Sequence, residues 1–431
     1  MGDLLDGSFL DTKNLNLDNE FNSWFSRRIA TVISGTEFFN DTIQFLNQID
    51  LNIIRSNWGT RTLHPQVETI NQLWFEKVTP SILSNLPKAS KYSRSIFEFQ
   101  GGEVIETRWS IGNIMTDLFR NSSVAFALEK RTLYRFHLAK ELRLYKDPSE
   151  YPFAVIRDLE ELGATDYLVY PVHFTSGGFV YASFCSNKPE GFTELQVAFL
   201  GRITPIIANF WERFILKELT DTLLRLYLGK RTGPLVSAGK ILRGDAERIR
   251  SVIWFSDIRS FTTISESIPE EKVIHLLNLY FGIVIPRIEK AGGEVLKLIG
   301  DAVLAIFPDN KSYATPRLRA LVSARQIQSD LDKANQDNLE SELPELAHGI
   351  GLHFGEVLYG NIGSHDRFDF TVVGSSVNLA SRISNLCGQL GMPVLASQAF
   401  IENTSLPWKD MGSFALKGFT NEQILFGLES V

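Results

Sequence analysis

Two acidic residues at strand ends are the first sign of chemistry in this sequence. Ile253-Trp254-Phe255-Ser256-Asp257-Ile258-Arg259-Ser260-Phe261-Thr262 is an apolar strand that ends on an acid. Lys297-Leu298-Ile299-Gly300-Asp301-Ala302-Val303-Leu304-Ala305-Ile306 reads as two short strands hinged at Gly-Asp. An acid at a strand end and another at a strand–strand turn can converge on one sheet edge. Converging carboxylates suit a hard divalent cation, because Mg²⁺ takes a few protein oxygens and completes its shell with substrate phosphates. Each Asp alone is more simply a turn or cap residue. The metal reading rests on the two together, in their Phe-x-Asp-Ile and Lys-x-Ile-Gly-Asp settings. A third piece, Thr371-Val372-Val373-Gly374-Ser375-Ser376-Val377-Asn378-Leu379-Ala380-Ser381-Arg382, opens a helix on which Asn378 and Arg382 share a face. No glycine-rich Walker A stretch is present, so phosphates would be neutralised by metals and basic side chains.

The elements that must position these residues follow from periodicity. The strand at 252–258 leads to an amphipathic helix from about Glu270 to Ala291. Val273, Leu277, Phe281, Val284 and Ile288 line one face of it, and Gly292-Gly293 stops it. Strands 294–299 and 302–307 form a hairpin; a helix at about 314–335, strands 347–358 and 368–373, a helix at 376–390 and a strand at 393–396 complete an α+β pattern.

Upstream the texture differs. Residues 1 to about 20 are polar, and from Asn22 to about Asn85 the pattern reads as helical, with Pro80 and Pro87 at its end. This segment is expected to be a helical cap or dimerisation element. Short alternating runs then begin at about Tyr92. Glu103–Trp109 and Leu133–His137 read as strands, and Tyr167–Val172, a Ser176-Gly177-Gly178 turn and Phe179–Phe184 read as a hairpin. Thr193-x-x-Gln196 is a capping box that opens a long helix. On that helix Leu216, Leu219, Leu223 and Leu226 fall at the 3-4-3 spacing of a short parallel coiled coil, with plain helix packing as the other reading. Gly229–Pro234 ends it, and Arg243-Gly244-Asp245 marks a linker. His137, His173 and Cys185 are read as ordinary side chains rather than metal or haem ligands.

At 431 residues the chain has room for two or three domains. Its 44 % apolar and 22 % charged content is that of a soluble globular protein, and a net charge of −7 disfavours nonspecific nucleic-acid binding. Two cysteines far apart suggest no disulfide framework. The acidic start lacks the basic region of a secretory signal and the Ser or Thr of a myristoylation motif. No apolar run approaches the ~20 residues of a membrane helix. A cytoplasmic protein with no membrane partner is expected.

In its three motifs and their order, Val252–Arg382 resembles a class III nucleotidyl cyclase. The resemblance implies a ferredoxin-like catalytic core, an antiparallel sheet with helices on one face. It implies Asp257, Asp301 and the carbonyl of Ile258 as ligands of two Mg²⁺ or Mn²⁺ ions per active site. Arg382 becomes the transition-state arginine, Asn378 the residue that positions the ribose, and Lys417, in Leu416-Lys417-Gly418, a triphosphate contact; for this short match a solvated lysine stays open. Lys297 and Thr371 occupy the base-reading positions. Lys297 can donate to adenine N1, where guanine offers a donor, and Thr371 can accept from N6. Family guanylate cyclases carry Glu and Cys there, and adenylate cyclases carry Lys with Asp or Thr. The chain is therefore similar to the Thr-bearing adenylate cyclases, some of which respond to bicarbonate. The family forms its sites across a dimer, so one chain holding the full set implies a homodimer with two shared sites.

Residues 96–215, more clearly in their second half, resemble a GAF sensory domain, which implies a small-molecule regulator. The expected organisation is an N-terminal helical region at 1–95, a GAF-like α/β domain at 96–215, a signalling helix and linker at 216–248, and a catalytic domain at 249–431. The expected activity is that of an adenylate cyclase, a phosphorus–oxygen lyase converting ATP to 3′,5′-cyclic AMP and pyrophosphate. The rivals are a guanylate or relaxed-specificity cyclase and a catalytically silent nucleotide-binding signalling protein. A diguanylate cyclase would need a Gly-Gly-Asp/Glu-Glu-Phe turn where Gly300-Asp301-Ala302-Val303 stands.

Overall fold

Helical periodicity carries the chain only as far as Gln48. In the computed structural model, which describes residues 12–77, 102–173, 178–240, 242, 244, 246–309, 314–337, 343–402, 404 and 406–428, helices α1 (Thr12–Arg28) and α2 (Gly35–Gln48) are followed by strands β1 (Ile53–Arg61) and β2 (Thr69–Phe75). Ser34 starts α2 by accepting the Glu37 N–H at 3.1 Å. The expected helix over the rest of this segment is not formed. β1 and β2 are buried on both faces, so they lack the two-residue alternation that would reveal a strand. The end of that reading, from Val78 onward, lies outside the described residues.

Strands β3 (Val104–Trp109), β4 (Tyr134–Phe136), β5 (Asp166–His173) and β6 (Phe179–Ser186) complete an antiparallel sheet in the order β3-β2-β1-β6-β5-β4. The expected strands are all present, although Ser176 and Gly177 of the hairpin turn lie outside the described residues. Because β1 and β2 join β3 and β6 in one sheet, the chain does not divide near residue 95. It divides into Met1–Thr220 and Asp221–Val431. Helix α3 (Ser123–Lys130) and helix α4 (Val155–Glu161) cover one sheet face with Tyr167, Val169 and Cys185. Helices α1, α2 and α5 (Glu194–Leu228) cover the other, around Phe38, Trp58 and Trp211. The capping box opens α5 as expected: Thr193 Oγ1 accepts the Gln196 N–H at 3.2 Å and Gln196 Oε1 accepts the Thr193 N–H at 3.1 Å. Among the described residues no helix is long and apolar enough to cross a membrane.

The second unit starts within the last turns of α5 and continues with α6 (Thr232–Ser237) and the long strand β7 (Ala246–Ile258), followed by α7 (Phe261–Ser267), α8 (Glu270–Lys290), β8 (Glu294–Ile299), β9 (Ala302–Pro308) and α9 (Pro316–Asp337). Next come β10 (His348–Gly363), β11 (Phe368–Val373), α10 (Ser375–Leu390), β12 (Val394–Ser397), β13 (Lys409–Phe414) and β14 (Gln423–Leu428). The sheet order is β13-β14-β12-β10-β7-β9-β8, with β11 paired to β10. Only β10 and β12 run parallel among its described pairs.

Helices lie on both faces of this sheet rather than on one. Val252, Ile253 and Trp254 are all fully buried, as a strand covered on both sides requires. Val252 and Trp254 pack with Leu276, Val284 and Ile327 of α8 and α9, while Ile253 packs with Ala380 of α10. Gly351 permits that second approach, since a Cβ there would collide with the Ala380 carbonyl and Ser384.

Candidate active site

The C-terminal end of β7 brings the two acids together. Asp257 lies opposite Gly349 of β10, and β9 pairs alongside at Ser256 and Val303. The β8–β9 turn therefore sits just beyond the end of β7. Gly300 makes that turn with φ +65°. Asp301 follows it, and its Oδ2 accepts the Ile258 N–H at 3.0 Å. Asp257 is mostly shielded, with 16 % of its side chain exposed; its Oδ2 accepts the Ser384 hydroxyl at 3.2 Å. Its Oδ1 forms a short ion pair with the Arg259 guanidinium.

Arg259 went unremarked in the sequence. It folds back beside Asp257 because Gly349 leaves room: a Cβ there would stand 2.6 Å from the Arg259 Cζ. Behind the acids His348 is buried with both ring nitrogens unpartnered. Burial, and then the charge of Arg259, push its pKa down to about 3.

Among the described residues no three His, Cys, Asp or Glu side chains gather in one place. Two carboxylates and the Ile258 carbonyl are hard oxygen donors, and such a sparse set fits an ion whose shell substrate oxygens complete. Arg259 is the competitor for Asp257 Oδ1 at this edge.

Asn378 and Arg382 do not join the acids within one chain. Both are exposed on α10, without a side-chain hydrogen bond among the described residues. Ser384, which reaches Asp257, is buried on the same helix. Two residues turn a helix by about 200°, so Arg382 points away from the side on which Ser384 meets Asp257.

Lys297 of β8 is tied to β11, the strand of Thr371, by a residue not foreseen. Asp369, two positions before Thr371 on β11 and so on the same face of that strand, forms a short ion pair with Lys297 Nζ. Thr371 is buried; Lys297 is partly exposed. The alternation of Asp369 and Thr371 along one strand was the available signal. Lys417 is exposed between β13 and β14, after buried Leu416 and before Gly418 at φ +91°.

Comparison with known proteins matches residues 245–429 to the adenylate and guanylate cyclase catalytic domain. The second unit is a class III nucleotidyl cyclase domain. An adenylate cyclase of Anabaena cylindrica is 35 % identical over 198 residues, covering 44 % of this chain and 38 % of that protein. An uncharacterised protein of Mycobacterium bovis is 32 % identical over 206 residues, covering 47 % and 35 %. Among solved structures, the guanylyl cyclase Cya2 is 31 % identical, covering 43 % of this chain and 94 % of that one, with a TM-score of 0.39. The chain thus spans well under half the length of these two curated relatives. Cys185 of the first unit and Cys387 of the cyclase domain are both buried free thiols.

Proposed function

We propose that the cyclase domain converts ATP to 3′,5′-cyclic AMP and pyrophosphate at two sites shared across a homodimer. The observation that carries this reading is the split within one chain: Asp257 and Asp301 converge at the end of β7, while Asn378 and Arg382 face outward on α10. A second copy supplies what each half lacks. An exposed apolar surface on β8, β10 and β11, formed by Leu298, Ile299, Leu358, Ile362, Phe368 and Val373, supports burial against that copy.

Asp257, Asp301 and the Ile258 carbonyl would hold the ions, Mg²⁺ or Mn²⁺, two per site. When bound, these ions lower the pKa of the attacking ribose 3′-hydroxyl and neutralise the departing pyrophosphate. Asn378 orients the ribose. The Arg382 fork matches the oxygens of the pentavalent phosphorus and stabilises the charge that grows there. Lys417 contacts the triphosphate. The preference for adenine rests on Lys297, a donor toward N1, with Thr371 accepting from N6. Unit 1 is read as a GAF-like sensor acting through α5, whose Leu216 and Leu226 are half exposed; bicarbonate is a candidate effector of the cyclase domain itself.

The test is turnover of ATP and GTP by the wild type and by a Lys297→Glu, Thr371→Cys double variant. ATP should be the better wild-type substrate, and the variant should favour GTP. Misplaced polar groups in such a site cost ~2–4 kcal/mol, so an unchanged ratio of kcat/KM values would remove the base-reading assignment.

A further inference from the structure

The first unit contains a cavity of about 260 Å³ between β1 and β2 of the sheet and the helices α3 and α4. Its floor holds an unusual group. Arg55 of β1 is nine-tenths buried, and its Nη1 has no hydrogen-bond partner. No ion pair is formed by Arg55 among the described residues; its guanidinium lies over the Phe75 ring at 5.7 Å from the centroid. The adjacent Cys185 supplies no counter-charge, because burial pushes its thiol up to about 12. Asn57 also lines the cavity: its amide nitrogen donates to the Tyr181 hydroxyl at 3.1 Å, while its Oδ1 is buried without a donor. Asp158 is the other charged residue in the lining, and Trp109, Phe119 and Phe153 supply flat apolar walls.

A buried cation without an anion is costly, and so is a buried carbonyl without a donor. Both costs fall if one guest brings an anion to Arg55 and an O–H or N–H to Asn57. A single cation facing one acid favours a monoanion over a phosphate dianion. Size narrows the class: a cavity of about 150 Å³ holds benzene, so this one holds roughly ten heavy atoms. We propose that this cavity binds a small organic carboxylate of about ten heavy atoms that also carries a hydrogen-bond donor. The aromatic walls suit a planar body. This assignment does not depend on the cyclase reading.

The probe is 4-hydroxybenzoate, which has this size, charge and donor, with neutral 4-hydroxybenzamide as its isostere. Full-length protein is titrated calorimetrically with each, and with 3′,5′-cyclic AMP as a larger anion. Saturable binding of the carboxylate is expected in the micromolar to millimolar range, with the amide weaker by at least about tenfold. Arg55→Met should abolish carboxylate binding and melt at the wild-type temperature or above, since an uncompensated buried charge has been removed. Ala154→Trp, at an exposed position on the rim, should block entry without disturbing the core. No saturable binding of 4-hydroxybenzoate, equal binding of the amide, or retained binding in Arg55→Met would overturn the proposal. Tighter binding of the cyclic nucleotide would overturn the size assignment.

Discussion

A lysine can read a base edge only if its ammonium stays in one place, and Asp369 is what holds Lys297. Half of the Asp369 side chain is exposed, so solvent screens the pair and its worth is modest, ~0–1 kcal/mol. Asp369→Asn should therefore lower the proposed preference for ATP over GTP by less than about fivefold, chiefly through KM. The Lys297→Glu, Thr371→Cys pair should act far more strongly, because it reverses donors and acceptors instead of loosening one. Competition kinetics with both nucleotides measures the two effects on one scale; a collapse of specificity in Asp369→Asn would make Asp369 itself a base contact. At this scale the sequence was legible where chemistry is local. Asp257 and Asp301 stand in short runs that announce a strand end and a turn. Asp369 and Arg259 were not legible as participants. The partner of Asp369 is on another strand, and Arg259 turns back onto Asp257 only because Gly349, across the sheet, lacks a side chain.

The short helix α6 is tied to the sheet of the cyclase domain by one buried carboxylate. Glu294 of β8 accepts from the Tyr359 hydroxyl at 3.0 Å and from the Thr232 hydroxyl at 3.2 Å. Burial raises its pKa above the ordinary value, and the hydroxyl donors offset only part of that. Relative to the unfolded chain, the folded state therefore holds the proton on Glu294 to higher pH. The stability this contributes is fully present below the ordinary Glu pKa and is lost as pH rises through the raised folded value. Glu294→Gln keeps an acceptor for Thr232 and removes the titration. Urea unfolding across pH should give a flatter profile for the variant, with stability at neutral pH equal to or above wild type. A variant that loses stability at neutral pH would mean that the charge itself holds α6. From β7 to β12 the main strands and helices of the second unit were legible because they differ in period and are separated by glycine turns; the short helices α6 and α7 and the strands β13 and β14 were not read. Nor were β1 and β2. Double-sided burial removes the polar half of the strand pattern, and what remains mimics helical spacing. The same burial of β7 concealed the second helical face.

For the cyclase domain as a whole, two buried histidines weigh on stability in acid. His348 and His353 are held neutral, His348 at about 3 and His353 at about 4, both chiefly by burial. Depressed histidines add stability that is complete above their unfolded pKa of ~6.5 and is lost as pH falls towards the folded values. His348→Phe should flatten the acid limb of an unfolding profile by up to ~1.4 kcal/mol per pH unit, and an unaltered slope would show that another group controls it. The assembly is a different matter from stability, because a single folded chain holds the acids and the arginine on separate faces. The proposed shared site predicts complementation. Asp257→Ala and Arg382→Ala homodimers should each be nearly inactive, one lacking a proposed metal ligand and the other the proposed transition-state fork. In a mixed dimer one site collects both lesions, while the other takes Asp257 from the arginine variant and Arg382 from the aspartate variant. With free exchange at equal amounts about half the dimers are mixed, each with one sound site, so activity should return to about a quarter of wild type. Differently tagged chains allow the mixed dimers to be isolated and assayed directly. If isolated mixed dimers remain as inactive as their parents, each site is built within one chain, and Arg382 must reach Asp257 by a rearrangement of α10 that the packing of Ala380 and Ser384 against Gly351 opposes.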